Sequence, residues 1–206
     1  MRVDQPLTSL RKSPQQARSL LRFNSILDEA EAIIAERGSS GLKMNELARR
    51  ADVNIASIYQ YFPNRLALLR QLIERYLERY QVVLRQSLGD YQGSPLGLVD
   101  LIVDGYQSFF SQAPVFAALW AEAQGDPELK RLDIQDSQSN AEFMAGLAAE
   151  YFPDVPVRRI QNMCFMFCDL SGSLMQTLLS LQDKQQAEAV LSEYKLMMKA
   201  YLSSLT

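Results

Sequence analysis

The stretch Lys43–Leu69, KMNELARRADVNIASIYQYFPNRLALL, leaves this chain few folds to adopt. Its spacing predicts a helix over Met44–Ala51 with Leu47, Ala48 and Ala51 on the inward face. Asp52-Val53-Asn54 then forms a tight turn with Val53 as its buried plug. Asn54 caps a second helix, since its side-chain oxygen can accept from an otherwise unpaired amide of the first turn. That helix, Ile55–Tyr61, turns Ile58 and Phe62 inward; Pro63 ends it and Asn64 caps the next. Two short helices joined this tightly have the proportions of a helix-turn-helix, whose second helix enters the DNA major groove. On this reading Ile55, Ala56, Ser57 and Gln60 approach base edges, with Asn45 adding a contact from the preceding helix. Tyr59, Tyr61 and Arg65 meet phosphates beside Lys43, and Asn54 borders the same DNA-facing surface.

These residues resemble the TetR family of bacterial transcriptional regulators. Its recognition helix carries Tyr-x-Tyr/His-Phe, followed by a small residue, a basic residue and a leucine. The matching residues here are Ile58, Tyr59, Tyr61, Phe62, Pro63, Asn64, Arg65 and Leu68, and the run from Ile26-Leu27-Asp28-Glu29-Ala30-Glu31 through Gly38 is similar to the family's first helix. Three positions depart from the pattern. Asp52 replaces the usual Gly, but Asp is among the few residues that tolerate left-handed geometry. Arg65 replaces the usual Lys and keeps a charge for a phosphate, while Leu66 replaces an acidic residue that would complement the helix dipole. Beyond this region the resemblance is one of size and helical layout.

A chain of 206 residues can hold a small domain and a larger one. Its net charge of −3 suits a DNA-binding protein only when divided. Residues 1–88 hold 14 Lys and Arg against 9 Asp and Glu, and residues 89–206 hold 7 against 15. A basic N-terminal part joined to an acidic remainder is what nucleic-acid binding by one domain requires, although such asymmetry also arises by chance. The absence of histidine removes the usual base near neutral pH, and there is no phosphate loop, nucleophile elbow or metal-ligand cluster, so an enzyme is not expected. Cys164 and Cys168, four apart on one predicted helix, cannot complete a zinc shell and read as small buried hydrophobes. No cofactor is expected. The N-terminus lacks an apolar signal core and no run approaches the ~20 apolar residues of a membrane span, which predicts a cytoplasmic protein.

Elsewhere the apolar residues recur at three-four spacing, without β alternation, so the fold is expected to be all-α. Residues 1–18, with Arg2, Arg11, Lys12 and Arg18, form a basic flexible arm: either a solvated tail or an extension along the DNA. A helix follows from about Ser19 to the capping Gly38, completing a three-helix helix-turn-helix domain over 19–64. Residues 65–206 make a larger helical ligand-binding and dimerisation domain. Its helices are expected at Arg65–Leu88, Pro95–Gln112, Pro114–Ala123, Pro127–Tyr151, Val157–Leu181 and Lys184–Ser204.

The resemblance implies a homodimer on a palindromic DNA operator and a small-molecule effector that changes recognition-helix spacing. The last two helices supply the dimer surface, with Ser171-Gly172-Ser173 permitting close backbone approach. Tyr76, Tyr80, Tyr106, Phe109, Phe110, Trp120, Met163 and Phe167 are the candidate lining of an effector pocket, although core packing claims most of them individually. Such a lining suits a lipophilic or aromatic molecule. Asp169, among Phe165, Met166, Cys168 and Leu170, either faces that cavity or finds a cap or arginine partner. Repression is the commoner action in this family. An activator, or a helical protein-interaction module, remains the alternative.

Overall fold

A computed structural model describes residues 17–205 in backbone and 19–205 in side chains. The basic arm therefore lies almost wholly outside the described residues. Among those described there are helices and no strand. The order is α1 (Ala17–Arg37), a 3-10 turn (Ser39–Gly41), α2 (Met44–Arg50), α3 (Ile55–Tyr61), α4 (Arg65–Gly89), α5 (Pro95–Gln112), α6 (Pro114–Ala123), α7 (Pro127–Tyr151), α8 (Val157–Ser180) and α9 (Lys184–Ser203). None of these helices is long and apolar enough to cross a membrane.

Local chemistry accounts for the boundaries. Gly38 ends α1 at φ 71°, where a side chain would be strained, and its amide reaches Ile34 O at 2.8 Å. Proline opens α5, α6 and α7, where its missing N–H costs nothing and its fixed φ suits a first helical turn. Asp183 caps α9 by accepting from the amides of Gln185 and Gln186.

The chain divides into two compact units. The first contains the described residues up to Tyr76 together with Pro114–Leu129; the second contains Leu77–Ala113 and Lys130 onward. This division differs from a boundary at residues 64/65, because the first half of α4 and all of α6 join the N-terminal helices. The reason is burial. Leu68, Leu69, Leu72 and Ile73 of α4 and Phe116 and Leu119 of α6 are wholly enclosed, as are Ile26, Ala30 and Ile33 of α1. Each such large side chain contributes about 1.5–3 kcal/mol when fully buried. The α6 helix packs on α1 and on the 3-10 turn.

In the second unit, Tyr80, Leu84 and Leu88 of α4 form a core with Leu98, Ile102, Tyr106 and Phe109 of α5 and with Phe143 and Leu147 of α7. The helices α5, α8 and α9 pack mutually. Lys199 Nζ reaches Asp100 at 2.6 Å and Lys195 pairs with Asp104, tying α9 to α5. Ser171 and Gly172 are buried within the chain, and Ser171 Oγ lies 2.9 Å from the Tyr194 hydroxyl of α9. Ser171 is thus used for α8–α9 packing, while Ser173 of the same run is exposed.

Candidate nucleic-acid interface and effector site

The turn between α2 and α3 needs a residue in left-handed conformation, and Asp52 takes it at φ 50°. Asn54 follows in extended backbone and accepts from the Ala56 amide at 2.9 Å. This cap starts α3, and Ile58, fully buried, anchors it from below. Val53 is only half-buried, so the turn is less plugged than its sequence suggests. Lys43, Asn45, Asn54, Ala56, Tyr59 and Gln60 are exposed, and Ile55 and Ser57 are half-buried. Ile55, Ala56, Tyr59 and Gln60 line one open depression, mostly apolar, on the outer face of α3.

Two expected phosphate contacts point elsewhere. Tyr61 is buried, its ring 5.5 Å from that of Phe23, and its hydroxyl lies 2.8 Å from Ser19 Oγ. Tyr59 and Tyr61 are two positions apart, about 200° around a helix, so only one can face outward. Arg65 is turned inward. Its Nε donates to Leu42 O at 3.2 Å, its Nη1 to Glu122 Oε1 at 2.5 Å, and its Nη2 to Glu122 Oε2 at 3.1 Å and to Ser39 O. The guanidinium holds the Glu122 carboxyl below the ordinary carboxylate range. Arg65 therefore links the start of α4 to the 3-10 turn and α6.

Other cations nearby are also engaged. Arg50 bonds Glu29 at 3.0 Å and Glu36 at 2.7 Å, and Arg37 bonds Glu46 at 2.8 Å. Those hydrogen bonds raise the Arg50 pKa and lower that of Glu36. Arg49, exposed in the last turn of α2, makes no ion pair among the described residues. The sequence reading overlooked it because adjacent Arg49 and Arg50 look alike until the acidic residues of α1 are placed beside one of them.

The candidate effector residues divide between the units. Tyr76 and Trp120 belong to the first and are buried there, Tyr76 at 5.4 Å and Trp120 at 5.1 Å from the Phe116 ring. Tyr80, Tyr106, Phe109, Phe110, Met163 and Phe167 belong to the second. Tyr80 lies 5.0 Å from Tyr106 and 4.9 Å from Phe109; Phe167 packs edge-on to Tyr201 at 5.9 Å. Met163 is buried beside Cys164, whose thiol burial pushes up to about 12. Asp169 is half-buried, and burial pushes the Asp136 carboxyl of α7 up to about 6. Its position on α7, in the polar run Asp133–Asn140, gave no apolar contrast that would single it out.

Residues 94–206 match the family described as tetracyclin repressor-like, C-terminal domain, and residues 26–72 match bacterial regulatory proteins, tetR family. This chain belongs to the TetR family. That family is one of transcriptional regulators. A probable HTH-type transcriptional regulator, YttP of Bacillus subtilis, is 29% identical over 83 residues, which cover 39% of this chain and 40% of YttP. The HTH-type transcriptional repressor KstR of Mycolicibacterium smegmatis is 38% identical over 58 residues, 28% of each chain. The match thus spans well under half of either relative. A TetR-family regulator from Streptomyces coelicolor shares the fold, with TM-score 0.67 and 24% identity over 90% of this chain and 99% of that one. The TetR N-terminal match runs from inside α1 into the first half of α4. The C-terminal match opens at Ser94, the N-cap of α5.

Proposed function

We propose that this TetR-family chain is a transcriptional repressor that binds a palindromic operator as a homodimer and is released by a small lipophilic or aromatic molecule held in its second unit. The observation that carries the reading is the outer face of α3, where Ala56, Tyr59 and Gln60 stand exposed on a helix fixed by Asn54 and the buried Ile58. Base contacts are assigned to Ile55, Ala56, Ser57 and Gln60. Phosphate contacts go to Tyr59, Lys43 and Arg49, with Asn45 beside them.

Dimerisation is supported by apolar side chains left exposed on the last two helices: Met166, Leu170 and Leu179 on α8, Leu196 and Met197 on α9. Single exposed apolar residues need no explanation, but a group on adjacent helices marks an association surface. Repression is supported by KstR, a repressor by name, and needs no surface beyond the one that occupies DNA. Release requires an effector that prefers the form with wrongly spaced recognition helices, since equal affinity for both forms shifts nothing. The helix α4 contributes to both units and is the lever in this reading.

Selection of bound sequences from random DNA tests the proposal. It should return a palindrome with half-site centres one helical turn apart, about 34–36 Å, or a multiple of it. No enriched sequence, or an asymmetric one bound by a monomer, would overturn it.

A further inference from the structure

The depression on the outer face of α3 is lined by Ile55, Ala56, Tyr59 and Gln60, and most of that lining is apolar. Ile55 and Tyr59 stand four residues apart, as do Ala56 and Gln60, so the four side chains are neighbours on one face of the helix. Ala56 carries the smallest side chain among them, which keeps the space open. Ala56, Tyr59 and Gln60 are exposed and Ile55 is half-buried, while Ile58 and Tyr61 hold the opposite face of α3 in the core.

The residue types of α3 narrow what such a surface can read. Its sequence, Ile-Ala-Ser-Ile-Tyr-Gln-Tyr, holds no lysine or arginine to grip guanine O6 and N7. It holds no aspartate or glutamate to accept from cytosine N4 either. Gln60 carries its one amide side chain, the group that pairs with adenine N6 and N7. A base donor or acceptor pressed against the apolar lining would lose water without gaining a hydrogen bond. Among the groups that bases present in the major groove, the apolar one is the 5-methyl of thymine.

We propose that this depression seats the 5-methyl group of an operator thymine, so that Ile55, Ala56 and the ring of Tyr59 form a thymine-reading site. The inference rests on reading this chain as a DNA-binding regulator. The Tyr59 ring borders the methyl while its hydroxyl reaches a phosphate, a division that suits a side chain with an apolar body and a polar tip. Gln60, on the same face, is placed for an adenine. Both readouts therefore select A·T pairs, and the part of the half-site under α3 is A·T-rich.

The operator returned by selection is resynthesised with each thymine in turn replaced by 2′-deoxyuridine, which removes the methyl and keeps every hydrogen-bonding group of the base. In competition binding to the full chain, one position and its symmetry mate should each lose roughly three- to five-fold, the worth of one buried methyl. Replacing both should cost about ten- to twenty-fold. Ile55→Ala removes one wall and should bring the thymine-to-uracil affinity ratio at that position towards unity. Ala56→Gln, at an exposed position outside the core, fills the depression with a polar chain and should do the same, which keeps the test open if Ile55→Ala disturbs folding. A half-site without thymine, or a uracil loss below about two-fold at every position, would overturn the inference. So would a loss that persists in the two variants, because DNA shape or another part of the chain then senses the methyl. DNA selection reports the parent reading separately: without an enriched sequence the regulator reading fails, and an enriched palindrome indifferent to uracil sinks only this inference.

Discussion

Arg65 carries a charge suited to a phosphate, yet its donors are engaged by Leu42 O, Ser39 O and both Glu122 oxygens. Arg65→Ala strips these acceptors of a shared partner in a partly buried setting. We expect a loss of about 1–3 kcal/mol in urea unfolding, discounted for partial exposure. Because the Glu122 pKa is lowered in the fold, this stabilisation is present above the usual carboxylate range and fades as pH falls through it. Unchanged stability with a shallower salt dependence of DNA binding would return Arg65 to the DNA backbone. Asp136 has the opposite sign. Its raised pKa means that the folded chain binds the extra proton, so its contribution to stability falls as pH rises from 3.8 to about 6 and stays low above. Asp136→Asn should raise the urea midpoint at neutral pH, the unfolding free energy gaining at most about 3 kcal/mol, and flatten that slope. A midpoint that drops instead would show the ionised carboxylate to be stabilising.

At the scale of the element, α3 has seven residues and little helical stability of its own, so its cap and its buried face hold it. Asn54→Ala should cost about 1 kcal/mol in unfolding and weaken binding to every DNA sequence alike. Gln60→Ala should instead relax one symmetric operator position, since a bidentate contact discriminates by about 1–3 kcal/mol. If competition binding shows base preference unchanged after Gln60→Ala, readout lies elsewhere on the helix. Periodicity in the sequence placed α3 itself, and Ile58–Tyr61 spacing carried the signal that Tyr61 shares the buried face. The helix-turn-helix reading had drawn Tyr61 outward with Tyr59. The inward turn of Arg65 had no such local signal, because Glu122 lies 57 positions away.

At the scale of the whole molecule, the exposed Leu170 and Met197 sit on helices whose other faces are already filled by Ile160, Phe167, Tyr194 and Leu202. Replacing Leu170 and Met197 together by Asp should convert a dimer to a monomer in sedimentation and reduce operator affinity by orders of magnitude, since one recognition helix reads only a half-site. A sedimentation coefficient unchanged by the pair would remove α8 and α9 from the interface.

The sequence by itself determined the helices and most of their ends, because these depend on neighbours within a turn: apolar spacing, Pro at a first position, Gly38 past an end, Asn54 and Asp183 as caps. It also determined which face of α2 and α3 holds the motif to the core. Tertiary structure alone decided that α6 and half of α4 belong with the N-terminal helices, that Arg65 and Arg50 are paired while Arg49 is exposed with no ion pair among the described residues, and that the Asp136 carboxyl is desolvated. Each of these turns on partners distant in the chain, and the energy of a charge depends on what surrounds it in space.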